Sequence, residues 1–71
     1  MEKEMKLGTY RHFKGDLYEV LHVARDSENR ERYWVVYRSH KTGEVWVRSL
    51  EMFLEHVERD GYAGPRFVYV G

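Results

Sequence analysis

The run Tyr33-Trp34-Val35-Val36-Tyr37-Arg38 is aromatic or β-branched at every position but its last, and it limits the fold more than any other stretch of the chain. Such side chains suit a pleated, half-buried surface, so the run predicts a β-strand. Around it, Gly15, Gly43, Gly61 and Gly64 punctuate further segments of strand composition. Residues 9–13 form one, followed by a turn at Lys14-Gly15-Asp16. Residues 17–25 form a longer one, with Tyr18, Val20, His22 and Ala24 on one face and Leu21 and Val23 on the other. That pattern requires two covered faces or a bend at a β-bulge. Residues 26–31 are polar and read as a loop. His40-Lys41-Thr42-Gly43 suits a short hairpin connection ending in a left-handed glycine, so residues 33–38 and 44–48 are expected to pair antiparallel.

The period then changes. Leu50, Phe53, Leu54 and Val57 fall at i, i+3, i+4 and i+7, which predicts a helix of two to three turns. Ser49 can cap it, Glu51 lies near the positive end of its dipole, and Asp60-Gly61 ends the element. Residues 66–70 return as a strand. About five strands and one short helix favour a mainly β fold, a small SH3-like barrel or roll with the helix plugging an open end. Closure would also remove the sheet's edges. Tyr33, Trp34 and Phe67 are expected in the core, because large rings supply most of the burial available to so small a protein.

Specific residues add to these periodicities. Gly8-Thr9-Tyr10-Arg11-His12-Phe13-Lys14-Gly15, then Tyr18-Glu19-Val20 and Val23-Ala24-Arg25, resemble the opening of a family of short bacterial proteins, the domain of unknown function numbered 1653. The likeness continues through Ser27-Glu28, Val35-Val36-Tyr37-Arg38, Trp46-Val47-Arg48, Met52-Phe53 and Pro65-Arg66-Phe67. The resemblance implies an SH3-like barrel and, the family having no established activity, no mechanism. Members commonly carry His where this chain has Asp26, and Pro where it has Ser49.

The chain's 71 residues are enough for one domain, expected over residues 8–71 after a frayed, charge-alternating leader at 1–7. The absence of cysteine excludes disulfides and thiolate ligands and agrees with a reducing compartment. Twelve basic and twelve acidic residues cancel, whereas a dedicated nucleic-acid binder gains most of its affinity from basic excess. No apolar run is long enough for a secretory signal or a membrane span, so the cytoplasm is the expected location, with no membrane partner.

Catalytic signatures are sparse. His12, His22, His40 and His56 lack paired ligand spacing, no serine sits in a nucleophile elbow, and the glycines do not cluster into a phosphate loop. Neither metal nor cofactor is expected, and no catalytic residue is assigned. His12 is either a hydrogen-bonding group toward a ligand or a half-buried ring with one nitrogen on backbone. The arginines are more informative. Arg11, Arg38, Arg48 and Arg66 together with Tyr10, His12, Tyr37 and Trp46 would, if they converge, form a surface of forked donors and flat rings suited to anions, stacked bases or an extended peptide. Alternatively, Arg38 and Arg48 pair with Glu28, Glu44 or Glu51 and their stems pack on the barrel. The leading expectation is a non-enzymatic binding module for a peptide or nucleic-acid segment. The alternatives are a small-molecule site or small enzyme built on Arg11, His12, Ser27, Glu28 and Arg48, and a homodimerisation domain. The chain is expected to be a monomer or a weak homodimer.

Overall fold

The computed structural model describes residues 5–71; positions 1–4 of the expected leader lie outside the described residues. Among the described residues, seven strands and one helical turn follow in order: β1 (Gly8–His12), β2 (Leu17–Arg25), β3 (Tyr33–Ser39), β4 (Val45–Ser49), α1 (Leu50–Phe53), β5 (His56–Arg59), β6 (Tyr62–Pro65) and β7 (Phe67–Tyr69). Five of the strands form one antiparallel sheet in the order β4-β3-β2-β1-β7, and β5 and β6 form a separate hairpin. The protein is therefore mainly β with one short helix, as its patterning predicts. The sheet is not closed into a barrel, and β4 and β7 stand at its two edges. It is nonetheless strongly curled, since the Arg48 guanidinium on β4 lies 6.0 Å from the ring centroid of Phe67 on β7.

Paired residues in a sheet point to the same side. The inner face thus collects Tyr10, Tyr18, Val20, Val23, Val35, Tyr37 and Phe67, and the turn α1 closes it with Leu50 and Phe53. The centre of this core is aromatic. Phe53 and Phe67 stack with centroids 4.0 Å apart and planes 2° from parallel, and Tyr10 and Tyr37 meet Phe53 edge-on at 5.5 and 5.4 Å. Each such ring pair adds about 0.5–1.5 kcal/mol beyond its burial. Met5 packs against this cluster as well, and the Tyr10 hydroxyl donates to the Lys6 carbonyl at 2.7 Å.

The strand β2 resolves its two-faced pattern with a bulge between Val20 and His22. Before it Tyr18 and Val20 face inward; after it Val23 does, opposite Val35. One inserted residue thus keeps the apolar set on one side of a nine-residue strand. The expected hairpin after β3 is present, with Gly43 at φ 78° donating to the Ser39 carbonyl at 2.8 Å.

Two expectations need correction. The helix is a single turn. Ser49 does cap it, accepting from the Met52 N–H at 3.2 Å, but Leu54 is already the C-cap and is exposed. Val57 is buried on β5 instead. The cause is the dipeptide Asp60-Gly61, whose left-handed backbone (φ 54° and 79°) links Arg59 to its partner Tyr62 as a two-residue hairpin turn. Both central φ values are positive, the primed geometry that matches strand twist. The turn draws residues 56–59 into a ladder that a longer helix would forfeit.

Trp34 is the second correction. It lies half-buried on the outer face with Val36 and Arg38, while Tyr33, Val35 and Tyr37 take the inner one. Its indole N–H donates to Asp26 Oδ2 at 2.9 Å. Asp26 Oδ1 meanwhile accepts from the N–H groups of Glu28 and Asn29, closing the β2–β3 loop. These bonds, the Trp34 one foremost, hold the Asp26 carboxyl below the ordinary aspartate range.

Candidate functional site

Alternation along the strands divides the eight candidate residues. Trp46 and Arg48 on β4 pair with Tyr37 and Val35, so they share the inner side of the sheet. Gly8, Tyr10 and His12 fall on that side of β1, and His12 pairs with Phe67. Arg11 pairs with Leu17 and Val68, and Arg38 with Glu19 and Val45, on the opposite side. Arg11 and Arg38 therefore do not join the others. Tyr10 and Tyr37 are spent in the core, where burial, followed by the neighbouring Tyr69, raises the Tyr10 pKa. Only the Tyr37 hydroxyl takes part in the site.

What converges is a ring of donors around Phe67. Arg48 Nε donates to the Tyr37 hydroxyl at 3.2 Å, and its guanidinium faces the Phe67 ring. His12 meets the same ring edge-on at 5.0 Å and Tyr18 at 6.3 Å. Its Nδ1 accepts the Lys14 N–H at 3.1 Å, so the neutral imidazole carries its proton on Nε2. Burial first, then Arg66, Arg48 and Lys14, lower the His12 pKa against an opposing pull from Asp16. The fold thus favours the uncharged ring. Arg66 is latched to Glu55 twice: Nη2 donates to Oε1 at 2.8 Å, and its main-chain N–H donates to the Glu55 carbonyl at 2.9 Å. Its Nε is buried without a partner. Leaving such a donor unpaired costs about 1–3 kcal/mol.

Neither Arg38 nor Arg48 makes an ion pair with an acid among the described residues. The structural alternative of pairing with Glu28, Glu44 or Glu51 is not what holds them. Beside Arg48, a surface cavity of about 470 Å³ is lined by Arg32, Trp46, Arg48, Met52 and Glu51 among others. Arg32 and Met52 were not legible as site residues, since Arg32 follows a polar loop and Met52 stood out only within the family likeness; the fold brings both to the cavity wall, Arg32 over the Trp34 ring at 5.5 Å. Tyr18 was legible, since it shares strand parity with Val20.

The constellation Arg11, His12, Ser27, Glu28 and Arg48 is not assembled. Arg11 and His12 lie on opposite faces of β1, while Ser27 and Glu28 are exposed in the loop beyond Arg25. Eight strand steps of about 3.3 Å separate that loop from the His12 end of β2. Among the described residues no group of three His, Cys, Asp or Glu side chains is arranged to hold a metal.

The model of a family described as a protein of unknown function, DUF1653, matches residues 8–69. The crystal structure of a protein belonging to DUF1653 from Bordetella bronchiseptica superposes with a TM-score of 0.83 at 35% identity, covering 96% of this chain and 90% of that one. No curated protein matches.

Proposed function

This chain belongs to the DUF1653 family of proteins of unknown function, and as no activity comes with that membership, we propose from the geometry that it is a non-enzymatic binding module that takes an extended peptide as an added strand on β4. One observation carries this. The outer edge of β4 pairs with no strand among the described residues, and Val45, Trp46 and Val47 on it are 59%, 51% and 60% exposed. An unpaired, apolar edge is a template for another chain, one that proteins ordinarily blunt with charge, proline or a cover. Here the edge instead adjoins a cavity lined by two arginines and two tryptophans. Main-chain bonds along such an edge give affinity, and the alternate side chains give selectivity. The β7 edge is less suited, being three residues long.

The zero net charge favours a peptide over a nucleic acid. We read the curled, open sheet as an SH3-like roll, and the cytoplasm as its compartment. Among the described residues no helix is long and apolar enough to cross a membrane.

Titration with peptides of alternating β-branched and polar residues, followed by amide NMR, tests the proposal. The largest shifts are expected at residues 45–49. Trp46→Ala should weaken binding about tenfold or more, as loss of an aromatic anchor does, yet leave the thermal midpoint nearly unchanged because the ring is half exposed. Shifts concentrated at β7, or salt-sensitive binding of an oligonucleotide without peptide binding, would contradict it. Concentration-dependent dimerisation through β4 would assign the edge to a second copy of this chain.

A further inference from the structure

The donors around Phe67 add a chemical preference to that edge. We propose that Arg48, His12 and Arg66 form a site for a carboxylate carried by the bound peptide, opposite Arg48. This rests on strand addition at β4. Trp46 and Arg48 point to the inner side of the sheet and Val47 to the outer one. A strand added to β4 places its residues opposite these three on the same sides. The peptide therefore presents a carboxylate facing Arg48, an apolar residue two positions away facing Trp46, and a β-branched residue between them facing Val47.

The donors are available. The Arg48 Nε is committed to the Tyr37 hydroxyl, and its two terminal nitrogens have no partner among the described residues. A fixed Nε leaves the planar fork aimed, which suits bidentate contact with a carboxylate. His12 is tied through Nδ1, so Nε2 is its remaining donor. Both side chains lean on the Phe67 ring, at 6.0 and 5.0 Å from its centroid, and Arg66 is the residue before it. The charged groups acting on His12 are Arg66, Arg48 and Lys14 on one side and Asp16 on the other. Glu55 already occupies one nitrogen of Arg66. Glu51 lines the cavity beside Arg48 without forming an ion pair with it, so Arg48 lacks an acidic partner among the described residues. An arriving carboxylate relieves the repulsion that disfavours imidazolium, so binding takes up a proton at His12 and affinity rises as pH falls through the imidazole range.

The probes are an acetylated, amidated pentapeptide, Thr-Glu-Val-Phe-Thr, the same peptide with Gln for Glu, and the Gln peptide with a free C-terminus. NMR of the His12 ring reports the titration. The Glu peptide is expected to bind about tenfold more tightly than the amidated Gln peptide, as a charge-assisted contact allows, and to raise the His12 pKa. Arg48→Ala should abolish that difference while the Gln peptide still shifts β4. If the free-ended Gln peptide matches the Glu peptide, the carboxylate recognised is a chain terminus. Equal affinity of all three at an occupied β4 overturns the carboxylate site and leaves strand addition standing. If no peptide binds, strand addition fails, and sodium acetate then decides the anion site. A rise in the His12 pKa in the wild type but not in Arg48→Ala retains the site, and no rise overturns it.

Discussion

Phe53→Ala is expected to leave the protein largely unfolded at physiological temperature. Phe53 is 0% exposed and is the ring against which Tyr10, Tyr37 and Phe67 all pack. Truncating a buried Phe costs about 3–5 kcal/mol through lost transfer energy and the cavity left behind. A single core in a chain of this size rarely supplies more than about 3–5 kcal/mol of net stability. The loss and the reserve are comparable, so the native state loses its margin. The Phe53 ring ties α1 to β1, β3 and β7 at one point. Urea denaturation followed by near-ultraviolet circular dichroism measures it. Phe53→Leu, which keeps most of the volume, should retain a cooperative transition at a lower midpoint. A Phe53→Ala protein whose midpoint matches the wild type would show that the aromatic stack is not the keystone of the fold.

Gly61→Val should also be damaging, for a reason unrelated to packing. A β-carbon at Gly61 would meet nothing within 4 Å, so there is no clash with a neighbour. The cost is in the backbone: φ is 79°, in the left-handed region that a β-branched residue adopts only under strain of about 1–3 kcal/mol. Gly61→Asn, which tolerates that region, should recover most of the loss. The β5–β6 hairpin should fray first, because the turn sets its register, while the five-stranded sheet persists. Comparing urea midpoints and amide exchange in residues 56–65 for the two variants separates strain from a general loss of stability. Equal midpoints for wild type and Gly61→Val would contradict a primed turn at Asp60-Gly61.

That turn also explains where the sequence pattern misleads. Asp-Gly between two apolar-containing segments is a strong hairpin signal, yet a four-residue stripe from Leu50 to Val57 pointed to a helix. Val57 is buried in either arrangement, so its spacing did not discriminate between them. The period held only for Leu50 and Phe53, and the exposure of Leu54 marks where it stopped. On β3 the existence of a strand was legible but its inner face was not, because both parities are apolar; Trp34 looked like core by size and lies outside. The bulge in β2 could be read as one of two options because the apolar residues change parity at Leu21.

Sheet closure was a different matter. Local pattern specifies strands and turns, but whether β4 meets β7 depends on twist and curl accumulated over five strands. The same holds for the site. Arginine and aromatic enrichment singled out His12, Trp46, Arg48 and Arg66, which share the inner side and rim. Parity alone, applied to β1 and β3, would have removed Arg11 and Arg38.

The central claim is that β4 is an unpaired edge held beside an aromatic core, and residue-resolved amide exchange of the dilute monomer tests it most directly. In an antiparallel pair, the amides of one strand alternate between those bonded to the neighbour and those facing away. Every second amide across residues 45–49 should therefore exchange as fast as a loop, while both parities of Val35, Val36 and Tyr37, flanked by β2 and β4, stay protected. Uniform protection along β4 in a monomer would mean that the edge is covered, and the proposed docking surface would not exist.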